Sequence, residues 1–367
     1  MRIAFDHQTF VLQQYGGIPR YFVQLAVHLQ RMEQSVGVFA PLFQNRYLSS
    51  IPSECIYGRY VRRYPPKLSN LFLKINQSVA KRKIEKWQPD IVHETYYSKS
   101  RVTPNNCPKV ITVYDMIHEL FDEEFEGNSE IKRIKRVAVE DADHIICISE
   151  NTKRDLQQAY DTPSSKISVV HLGFDQYTTI QTNAAFSMQD LRPFLLFVGG
   201  RDGYKNFSGL LSAMASSDRL MRDFDIVAFG GGSFSSKELN TIKKLGFNLN
   251  QIRQVSGSDE ILGVLYSSAC GLVYPSKYEG FGIPPLEAMA KGCPVMVSNV
   301  SSMPEVCGNA VQYFSPSDVE SIRESIETVV YSESRSVELK RLGHERLNLF
   351  SWSKCASQTL DIYRNLV

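Results

Sequence analysis

The chain has 367 residues, of which 43% are hydrophobic and 22% charged, and its formal net charge is +2. This length suffices for two or three domains with their own cores, and the composition excludes collagen-like, disordered and disulfide-scaffold proteins. The near-neutral charge argues against a dedicated nucleic-acid-binding protein, which usually has a strong excess of Lys and Arg.

The cysteines and the apolar segments indicate where the protein works. The seven cysteines are scattered and form no Cys-x-x-Cys pair, a pattern typical of reduced thiols in a cytosolic protein rather than of a zinc site. The N-terminus begins with a short apolar run that ends at Asp6, which is unlike a signal peptide. No stretch approaches the roughly 18 uncharged apolar residues that span a bilayer. We therefore expect a cytoplasmic protein.

Short apolar runs alternate with segments of helical spacing almost from end to end. Continuous apolar runs are typical of parallel strands covered on both faces, so the alternation predicts an α/β protein with doubly wound parallel sheets. The predicted strands of the first half are Arg2–Asp6, Val36–Ala40, Asp90–His93, Val110–Tyr114, His144–Ile148 and Ile167–His171. Those of the second half are Phe194–Val198, Asp225–Phe229, Ile252–Val255, Gly271–Tyr274, Val295–Ser298 and Val311–Phe314.

The two series of strands predict two Rossmann-like domains. A polar stretch without clear periodicity predicts a linker over residues 176–192, between a domain at 1–175 and a domain at 193–350. A last amphipathic segment, 351–367, predicts a C-terminal helix that packs back towards the N-terminal domain. Open α/β sheets bind ligands beyond the carboxyl ends of their strands, so we expect the site in a cleft between the domains.

The strongest motif follows the predicted strand Gly271–Tyr274. Gly280 and Gly282 allow backbone amides to approach a ligand, and the Pro-Pro pair after Ile283 favours a first helical turn, whose N-terminus attracts anions. Glu279 in the turn and Glu287 in the first helical turn are suited to accept hydrogen bonds from sugar or ribose hydroxyls. The alternative is that both glutamates only offset the helix dipole.

A second motif, residues 199–206, follows the first predicted strand of the second domain. Arg201 and Lys205 are four residues apart in a flexible turn that also contains Gly200, so both cations could converge on one diphosphate. The alternative is that they are two solvated surface charges, as such residues usually are.

The first domain offers weaker signals. Gly16 and Gly17 follow its first predicted strand but lack the Gly-x-Gly-x-x-Gly spacing of a dinucleotide site. Asp115 and His118 follow the predicted strand Val110–Tyr114, although a lone histidine is more often structural than catalytic. The other histidines have no metal-ligand spacing with one another or with the cysteines, so no metal site is predicted.

These motifs together resemble one enzyme family. The segment Glu279–Glu287, the turn at 199–206, the segment Cys147–Leu156 and the entry Gln14–Tyr21 are similar to those of the retaining glycosyltransferases of family 4. The resemblance extends over nearly the whole chain and implies the GT-B fold, in which two Rossmann-like domains face a cleft. Within the family, the sequence most resembles the bacterial mannosyltransferase-like branch that builds O-antigen and related surface polysaccharides.

The resemblance implies a role for each donor-site position. Arg201 and Lys205 match the basic pair that holds the donor diphosphate, and Glu287 matches the carboxylate on the donor ribose. Glu279, with the amides after it, matches the group that positions the donor sugar. The remaining positions implied for the donor site are Gly16, Gly17, Gly200, Val255, Gly280, Phe281, Gly282 and Ile283.

One position departs from the family pattern. Where many relatives have His-Asp after the strand, this chain has Tyr114-Asp115, with His118 three residues later. Either His118 or Asp115 is therefore a candidate to contact the transferred sugar or the acceptor.

The function implied is metal-independent, retaining transfer of a hexose. Mannose from GDP-mannose is the favoured donor group, a lipid-linked oligosaccharide or polysaccharide is the acceptor, and a UDP-sugar is the alternative donor. No resident cofactor and no nucleic acid is expected. The competing readings are a sugar-nucleotide epimerase of GT-B type, an NAD-dependent oxidoreductase, for which the glycine fingerprint is missing, and a non-catalytic sugar-binding protein.

A basic stretch marks the first domain. The segment Arg59–Lys86 contains nine basic residues and one acid, with apolar residues at helical spacing that include Leu68, Leu71 and Ile75. Such a helix suits an anionic membrane surface, which would place the protein peripherally on the cytoplasmic face of the inner membrane. The alternative is an ordinary helix that packs its apolar face on the sheet.

Overall fold

Two six-stranded parallel sheets, each flanked by helices, form the framework of the chain. The computed structural model describes residues 1–62, 64, 69–125, 128–174, 192–201 and 203–367. The chain divides into a first unit, residues 1–173 with 352–367, and a second unit, residues 174–351. The predicted linker at 176–192 lies outside the described residues except for Arg192.

The first unit contains a sheet of strand order β2-β1-β5-β6-β7-β8 and a separate two-stranded pair, β3–β4, all parallel. Its strands are β1 (Arg2–Phe5), β2 (Ser35–Val38), β3 (Leu42–Phe43), β4 (Arg59–Tyr60), β5 (Ile91–Glu94), β6 (Lys109–Val113), β7 (His144–Cys147) and β8 (Ile167–Val169). Its first six helices are α1 (Gln8–Leu12), α2 (Gly17–Arg31), α3 (Ser69–Trp87), α4 (Ile117–Leu120), α5 (Asn128–Asp141) and α6 (Glu150–Tyr160).

The second unit contains a parallel sheet of order β11-β10-β9-β12-β13-β14. Its strands are β9 (Phe194–Val198), β10 (Asp225–Phe229), β11 (Ile252–Val255), β12 (Gly271–Tyr274), β13 (Val295–Ser298) and β14 (Gln312–Phe314). Its helices are α7 (Phe207–Ala215), α8 (Asp218–Asp223), α9 (Ser236–Lys244), α10 (Asp259–Ser268), α11 (Ile283–Ala290), α12 (Met303–Cys307), α13 (Val319–Val330) and α14 (Glu333–Leu347). The last helix of the chain, α15 (Trp352–Arg364), belongs to the first unit.

The prediction of an α/β protein with two parallel sheets is confirmed. Every predicted strand is present, with ends that differ by at most two residues, because most of them carry a continuous apolar run that is buried on both faces. In the second unit, Leu195 and Phe197 of β9 pack with Leu210 of α7 and Ile322 of α13 in one core cluster. The short pair β3–β4 was not predicted, since strands of two residues leave no apolar run in the sequence.

A buried polar chain attaches α15 to the first sheet. His93 of β5 is fully buried, and its Nδ1 lies 2.5 Å from the Tyr363 hydroxyl of α15. The Nε2 of His93 lies 2.9 Å from the Thr112 hydroxyl of β6. Burial lowers the pKa of His93 to about 3, so the imidazole is neutral at physiological pH.

The basic helix α3 buries a different face from the one that carries Leu71 and Ile75. Its buried positions include Ala80 and Ile84, whereas Leu71 and Ile75 are 52% and 38% exposed. The basic side chains are exposed as well, namely Lys74, Lys81, Arg82, Lys83 and Lys86. Leu68 lies outside the described residues. The alternative, in which an apolar face with Leu71 and Ile75 packs on the sheet, is therefore wrong for these two residues, because the face with Ala80 and Ile84 is the buried one.

The buried His93 makes stability depend on pH. Its ordinary pKa of 6.5 lies above the folded value of about 3, so the unfolded chain binds more protons as the pH falls below 6.5. Between pH 7.5 and pH 5 this should remove about 2 kcal/mol from the free energy of unfolding. Both tryptophans, Trp87 and Trp352, lie in the first unit, so urea titrations followed by tryptophan fluorescence measure this effect.

We expect His93→Gln to be less stable at pH 7.5 but to lose less stability on acidification than the wild type. The exposed His344, replaced by Gln, serves as the control and should keep the full pH dependence. An unchanged loss in His93→Gln would contradict this assignment.

Candidate active site

The second sheet has a point at which its strand order reverses. β9 continues along the chain to its neighbour β10, whereas β12 lies on the other side of β9 and leads on to β13. Loops that follow such neighbouring strands leave the sheet towards opposite faces and open a crevice between them. The loops after β9 and β12 are the two segments that carry the strongest motifs of the sequence.

Backbone and amide hydrogen bonds join these two loops. The Lys277 N–H donates to the Tyr204 carbonyl at 2.7 Å. The Asn206 amide nitrogen donates to the Pro275 carbonyl at 3.1 Å and to the Pro316 carbonyl at 2.8 Å. Asn206 has a φ of 57°, a left-handed conformation that asparagine tolerates, and it precedes the first residue of α7. The two loops are therefore held at a fixed separation.

Lys205 and Glu279 meet where these loops come together. The Lys205 Nζ lies 2.6 Å from the Glu279 Oε1 and 3.4 Å from the Tyr274 hydroxyl. Their side chains are only 17% and 11% exposed, so the pair is largely removed from water. The alternative that Arg201 and Lys205 are solvated surface charges is therefore wrong for Lys205. The alternative that Glu279 only offsets the helix dipole does not describe a carboxylate that has a lysine as its partner.

Burial and charge act against each other on Lys205. Burial alone would lower the pKa of the ammonium, but charge interactions with Tyr274 and Glu279 outweigh it and hold the pKa above its usual value. Burial and the charge of Glu279 raise the pKa of the Tyr274 hydroxyl well above its usual value. At physiological pH the cluster therefore consists of an ammonium and a neutral phenol, with Glu279 as the acceptor of the lysine's hydrogen bond.

The turn that contains Glu279 is held from the loop after β13. The Glu279 N–H donates to the Ser301 hydroxyl at 3.0 Å. The Ser302 hydroxyl donates to the carbonyls of Glu279 and Phe281, at 2.8 and 3.1 Å. The sequence analysis missed these serines, although their position directly after a strand that neighbours β12 would have been a usable signal.

Gly282 begins the helix that carries the second glutamate. It has a φ of 93°, and a Cβ atom there would lie 2.4 Å from the Met303 methyl group, so only glycine fits. α11 begins at Ile283, which makes Glu287 its fifth residue. The prediction of Glu287 in the first helical turn is therefore wrong, because the Pro-Pro pair occupies that turn. Glu287 is 5% exposed and accepts a hydrogen bond from the Tyr266 hydroxyl at 3.2 Å.

Arg201 has a separate set of partners. Its side chain is 3% exposed, and its Nε lies 2.5 Å from the Glu238 Oε1. The guanidinium also donates to the carbonyls of Gly230 at 2.9 Å and Ser233 at 3.2 Å, and it lies 4.5 Å from the centre of the Phe234 ring. Arg201 is thus not a solvated surface charge either, but it binds the loop after β10, and the structure does not pair it with the carboxylate that binds Lys205.

Three consecutive glycines make the Arg201 contacts possible. Gly230, Gly231 and Gly232 have φ values of 92°, 68° and 70°. A Cβ on Gly231 would lie 2.6 Å from the Arg201 Nη1. The sequence analysis missed this loop and Glu238, although a triple-glycine run after a predicted strand is a clear signal for a close backbone approach.

The other donor-site positions lie on the same sheet. Nothing lies within 4 Å of a Cβ placed on Gly200, so its backbone faces open space. Val255 is the last residue of β11, and its carbonyl accepts the Gly230 N–H at 2.9 Å. Gly280 and Phe281 precede Gly282, and Ile283 is the first residue of α11. The predicted residues of the second unit thus all lie at the carboxyl ends of its strands or in the loops and the helix that follow them.

The predicted residues of the first unit also follow strand ends. α2 begins at Gly17, and nothing lies within 4 Å of a Cβ placed there. The Asp115 carboxylate accepts the Ile117 N–H at 3.1 Å, which initiates α4. The His118 ring lies 4.6 Å from the ring of Phe125. Asp115 therefore has a local structural contact, whereas the contact described for His118 is aromatic packing.

A further carboxylate in the first unit was missed. Asp6 is fully buried after β1, and its Oδ1 accepts the N–H of Thr95 at 2.7 Å and the Thr95 hydroxyl at 2.5 Å. Because Thr95 follows β5, this contact joins the loops at the order reversal of the first sheet. Burial raises the pKa of Asp6 despite these hydrogen bonds. Asp6 thus holds the ends of β1 and β5 together.

Two kinds of feature are absent from the described part of the chain. Within it, no group of three or more His, Cys, Asp or Glu side chains is close enough to hold a metal ion. No helix of the described residues combines the length and apolar character that crossing a membrane requires.

Comparison with known proteins identifies the family. The sequence model described as "Glycosyltransferase Family 4" matches residues 15–176, and that described as "Glycosyl transferases group 1" matches residues 182–346. The O-antigen chain mannosyltransferase B of Escherichia coli is 28% identical over 285 residues, 74% of either chain. The prediction of a glycosyl-transferring enzyme is thereby confirmed.

Solved structures show the same architecture. The sucrose-phosphate synthase of Thermosynechococcus elongatus superposes with a TM-score of 0.78 at 20% identity, over 100% of this chain and 98% of that one. Anabaena Alr3699/HepE, solved in complex with UDP-glucose, superposes with a TM-score of 0.74 at 16% identity, over 100% of both chains. These structures share the fold, and the two family models, which match residues 15–176 and 182–346, show that the chain belongs to the GT-B glycosyltransferases, as its motifs predicted.

Proposed function

We propose that this chain is a retaining hexosyltransferase that moves mannose from GDP-mannose to a lipid-linked saccharide acceptor without a metal ion. The observation that carries the proposal is the Lys205–Glu279 pair at the order reversal of the second sheet. The choice of mannose is supported by the Escherichia coli relative, which is an O-antigen chain mannosyltransferase. The remaining steps follow from the charges and contacts of the described side chains.

Lys205 is the group that we assign to the leaving diphosphate. When the bond between the sugar and the phosphate breaks, negative charge grows on the nucleotide diphosphate, and a fixed cation in a water-poor site stabilises it by about 3 kcal/mol. Lys205 is protonated, half-buried and next to the N-terminus of α7, which begins at Phe207. A phosphate oxygen would replace the Glu279 carboxylate as the partner of Lys205, so the cation remains paired throughout.

Glu279 would then be released towards the sugar. A carboxylate that has lost its lysine accepts hydrogen bonds from hydroxyl groups, and the amides of Gly280 to Gly282 follow it at the mouth of the crevice. We assign Glu287, oriented by the Tyr266 hydroxyl, to the donor ribose. Arg201 supplies positive charge from behind the donor loops, and a direct phosphate contact would require it to release Glu238.

The transfer itself balances without a covalent intermediate on the protein. The bond between the sugar C1 and the phosphate oxygen breaks, and its electron pair leaves with the diphosphate. The acceptor hydroxyl attacks the same face of the positively charged C1, which retains the configuration, and its proton passes to the departing phosphate oxygen. In this scheme the first unit supplies the acceptor side, with Gly16, Gly17 and either His118 or Asp115 as the candidate contacts.

Exposed residues of α3 support a peripheral position on the cytoplasmic face of the inner membrane. The basic side chains at positions 81, 82 and 83 are exposed, and the apolar side chains of Leu71 and Ile75 are exposed near the other end of the helix. A combination of exposed cations and apolar groups favours an anionic lipid surface, where a lipid-linked acceptor would lie.

A thermal-shift panel of nucleotides and sugar nucleotides tests the donor site. A ligand at about 100 times its dissociation constant stabilises the fold by roughly 2.7 kcal/mol, and we expect GDP and GDP-mannose to do so. Lys205→Ala should abolish this stabilisation, whereas the exposed Lys277→Ala, in the next loop, should keep it. Stabilisation by UDP-sugars but not by GDP-mannose would identify a UDP-sugar as the donor. Equal stabilisation of both variants by the ligand would show that Lys205 does not bind the donor.

Glu279→Gln should separate binding from transfer. The variant keeps the size of the side chain but lowers its strength as a hydrogen-bond acceptor, so we expect GDP to bind as before and mannose transfer to a lipid extract to fall about a hundredfold. Glu320→Gln, exposed on α13, is the control. Incubation with GDP-mannose alone, followed by mass analysis, should yield no epimerised sugar nucleotide, and such a product would establish the epimerase reading instead.

The membrane contact is tested by liposome flotation with anionic vesicles. Replacement of Lys81, Arg82 and Lys83 by Ala should reduce flotation, because each basic residue near the surface contributes about 1 kcal/mol. The double variant Lys243→Ala/Lys244→Ala, exposed on α9, should float as the wild type does. Equal flotation of the α3 and α9 variants would show that α3 does not contact the membrane.

A further inference from the structure

The first unit contains a cavity that none of the steps above uses. It has a volume of about 680 Å³ and lies between the β3–β4 pair and two short 3-10 helices, Tyr47–Ser50 and Ser53–Cys55. That volume is in the range of small-molecule binding sites, which is roughly 300–1,000 Å³. The cavity is therefore large enough to hold part of a ligand.

The walls of the cavity are mainly hydrocarbon. Phe43 of β3 contributes to one side, and Leu48, Ile51 and Ile56 come from the 3-10 helices and the residues next to them. Leu48 and Ile51 are buried at 0% and 4% exposure, so these walls are part of the folded core. Asn45 and Ser49 also line the cavity, but its largely apolar walls favour a hydrocarbon group over water.

The rim of the cavity is positive. Arg46 and Arg62 are exposed lining residues, and Tyr60, 47% exposed, lies with them. The described residues that line the cavity include no acid. An apolar interior with two guanidinium groups at its rim is complementary to an amphiphile with a hydrocarbon chain and an anionic head.

The cavity is connected to the exposed part of α3. The Leu42 N–H, next to Phe43 in β3, donates to the Asn76 side-chain oxygen at 2.8 Å. The Tyr64 hydroxyl donates to the Leu42 carbonyl of β3, and the Tyr64 ring lies 4.7 Å from the ring of Phe72 in α3. These contacts fix β3 to the half of α3 that exposes Leu71 and Ile75 to solvent, so a lipid surface that touched this half would be next to the cavity.

We propose that the cavity binds the hydrocarbon chain of a lipid phosphate, whose phosphate is held by Arg46 and Arg62. The assignment of that lipid as the carrier of the acceptor saccharide rests on the proposed function. The binding of the lipid itself does not, since the cavity, its walls and its two arginines belong to the first unit alone. The hydrocarbon chain of the lipid would leave the bilayer surface near α3 and enter the cavity between the two 3-10 helices.

Alkyl phosphates of increasing length test the proposal by calorimetry with the full chain and no nucleotide. The probes are butyl, octyl and dodecyl phosphate, each kept below the concentration at which it forms micelles. Affinity should rise about fourfold for each methylene that becomes buried, until the cavity is full. An affinity that is independent of chain length would overturn the proposal.

Two pairs of variants locate the site. Ser53 lines the cavity and is exposed, so Ser53→Trp should obstruct it without disturbing the core and weaken dodecyl phosphate binding at least tenfold. Ser50→Trp, exposed outside the lining, is its control. The double variant Arg46→Gln/Arg62→Gln should weaken binding about tenfold, whereas Arg59→Gln, outside the lining, should not. Unchanged binding in Ser53→Trp or in the double variant would overturn the proposal.

The outcomes also separate this proposal from the proposed function. Urea unfolding followed by tryptophan fluorescence should give Ser53→Trp and Ser50→Trp the same midpoint, which shows that the first unit of the variant is folded, since both natural tryptophans lie in that unit. A chain that binds dodecyl phosphate as described but no nucleotide sugar would refute the proposed function and leave the cavity assignment standing. A chain that binds the donor but shows no dependence on alkyl length would refute the cavity assignment alone.

Discussion

The donor loops depend on one ion pair, between Lys205 and Glu279. The two residues are 74 positions apart in the chain, and they meet only because β9 and β12 are neighbours at the order reversal of the sheet. A largely buried ammonium without an anion would be costly, and here Glu279 is that anion. In the proposed function, a diphosphate replaces this carboxylate at little electrostatic cost, because one anion is exchanged for another around a cation that stays in place.

This exchange of partners requires that the backbone of the two turns stays in place. The hydroxyls of Ser301 and Ser302 hold the turn of Glu279 on its backbone, and Asn206 with the Lys277 amide holds the turn of Lys205. None of these bonds involves the two charged side chains themselves. The side chains can therefore change partners while the backbone keeps its position, which is the condition under which fixed charges stabilise a transition state most effectively.

The sequence predicted the strands and the motif positions well, because both depend on local signals. Continuous apolar runs identify buried parallel strands, and glycines and prolines identify the turns and helix starts beyond them.

The partners of Arg201 could not be predicted from the sequence. A guanidinium pairs equally well with a carboxylate such as Glu238 or with a phosphate, and only the left-handed loop at 230–232 brings Arg201 to Glu238. Glu287 was placed one turn too early because proline is tolerated throughout a first helical turn and does not fix which residue begins it. The position of Ser301 and Ser302 after β13 marked them as candidates, but the backbone atoms that they bind are set by tertiary contacts, which the sequence does not show.

The two units use positive charge in different ways. In the second unit Lys205 and Arg201 are shielded from water and paired with carboxylates, so their fields are short-ranged and matched to an anion that enters the crevice. In the first unit the basic residues of α3 and the two arginines at the cavity are exposed, and such charges act over about 8–10 Å before salt screens them. Exposed positive charge attracts an anionic group but does not fix its orientation, whereas an apolar cavity binds a hydrocarbon group but does not attract it from a distance. A lipid phosphate has both an anionic head and a hydrocarbon chain. The charge and the cavity of the first unit therefore indicate a lipid phosphate rather than a free sugar.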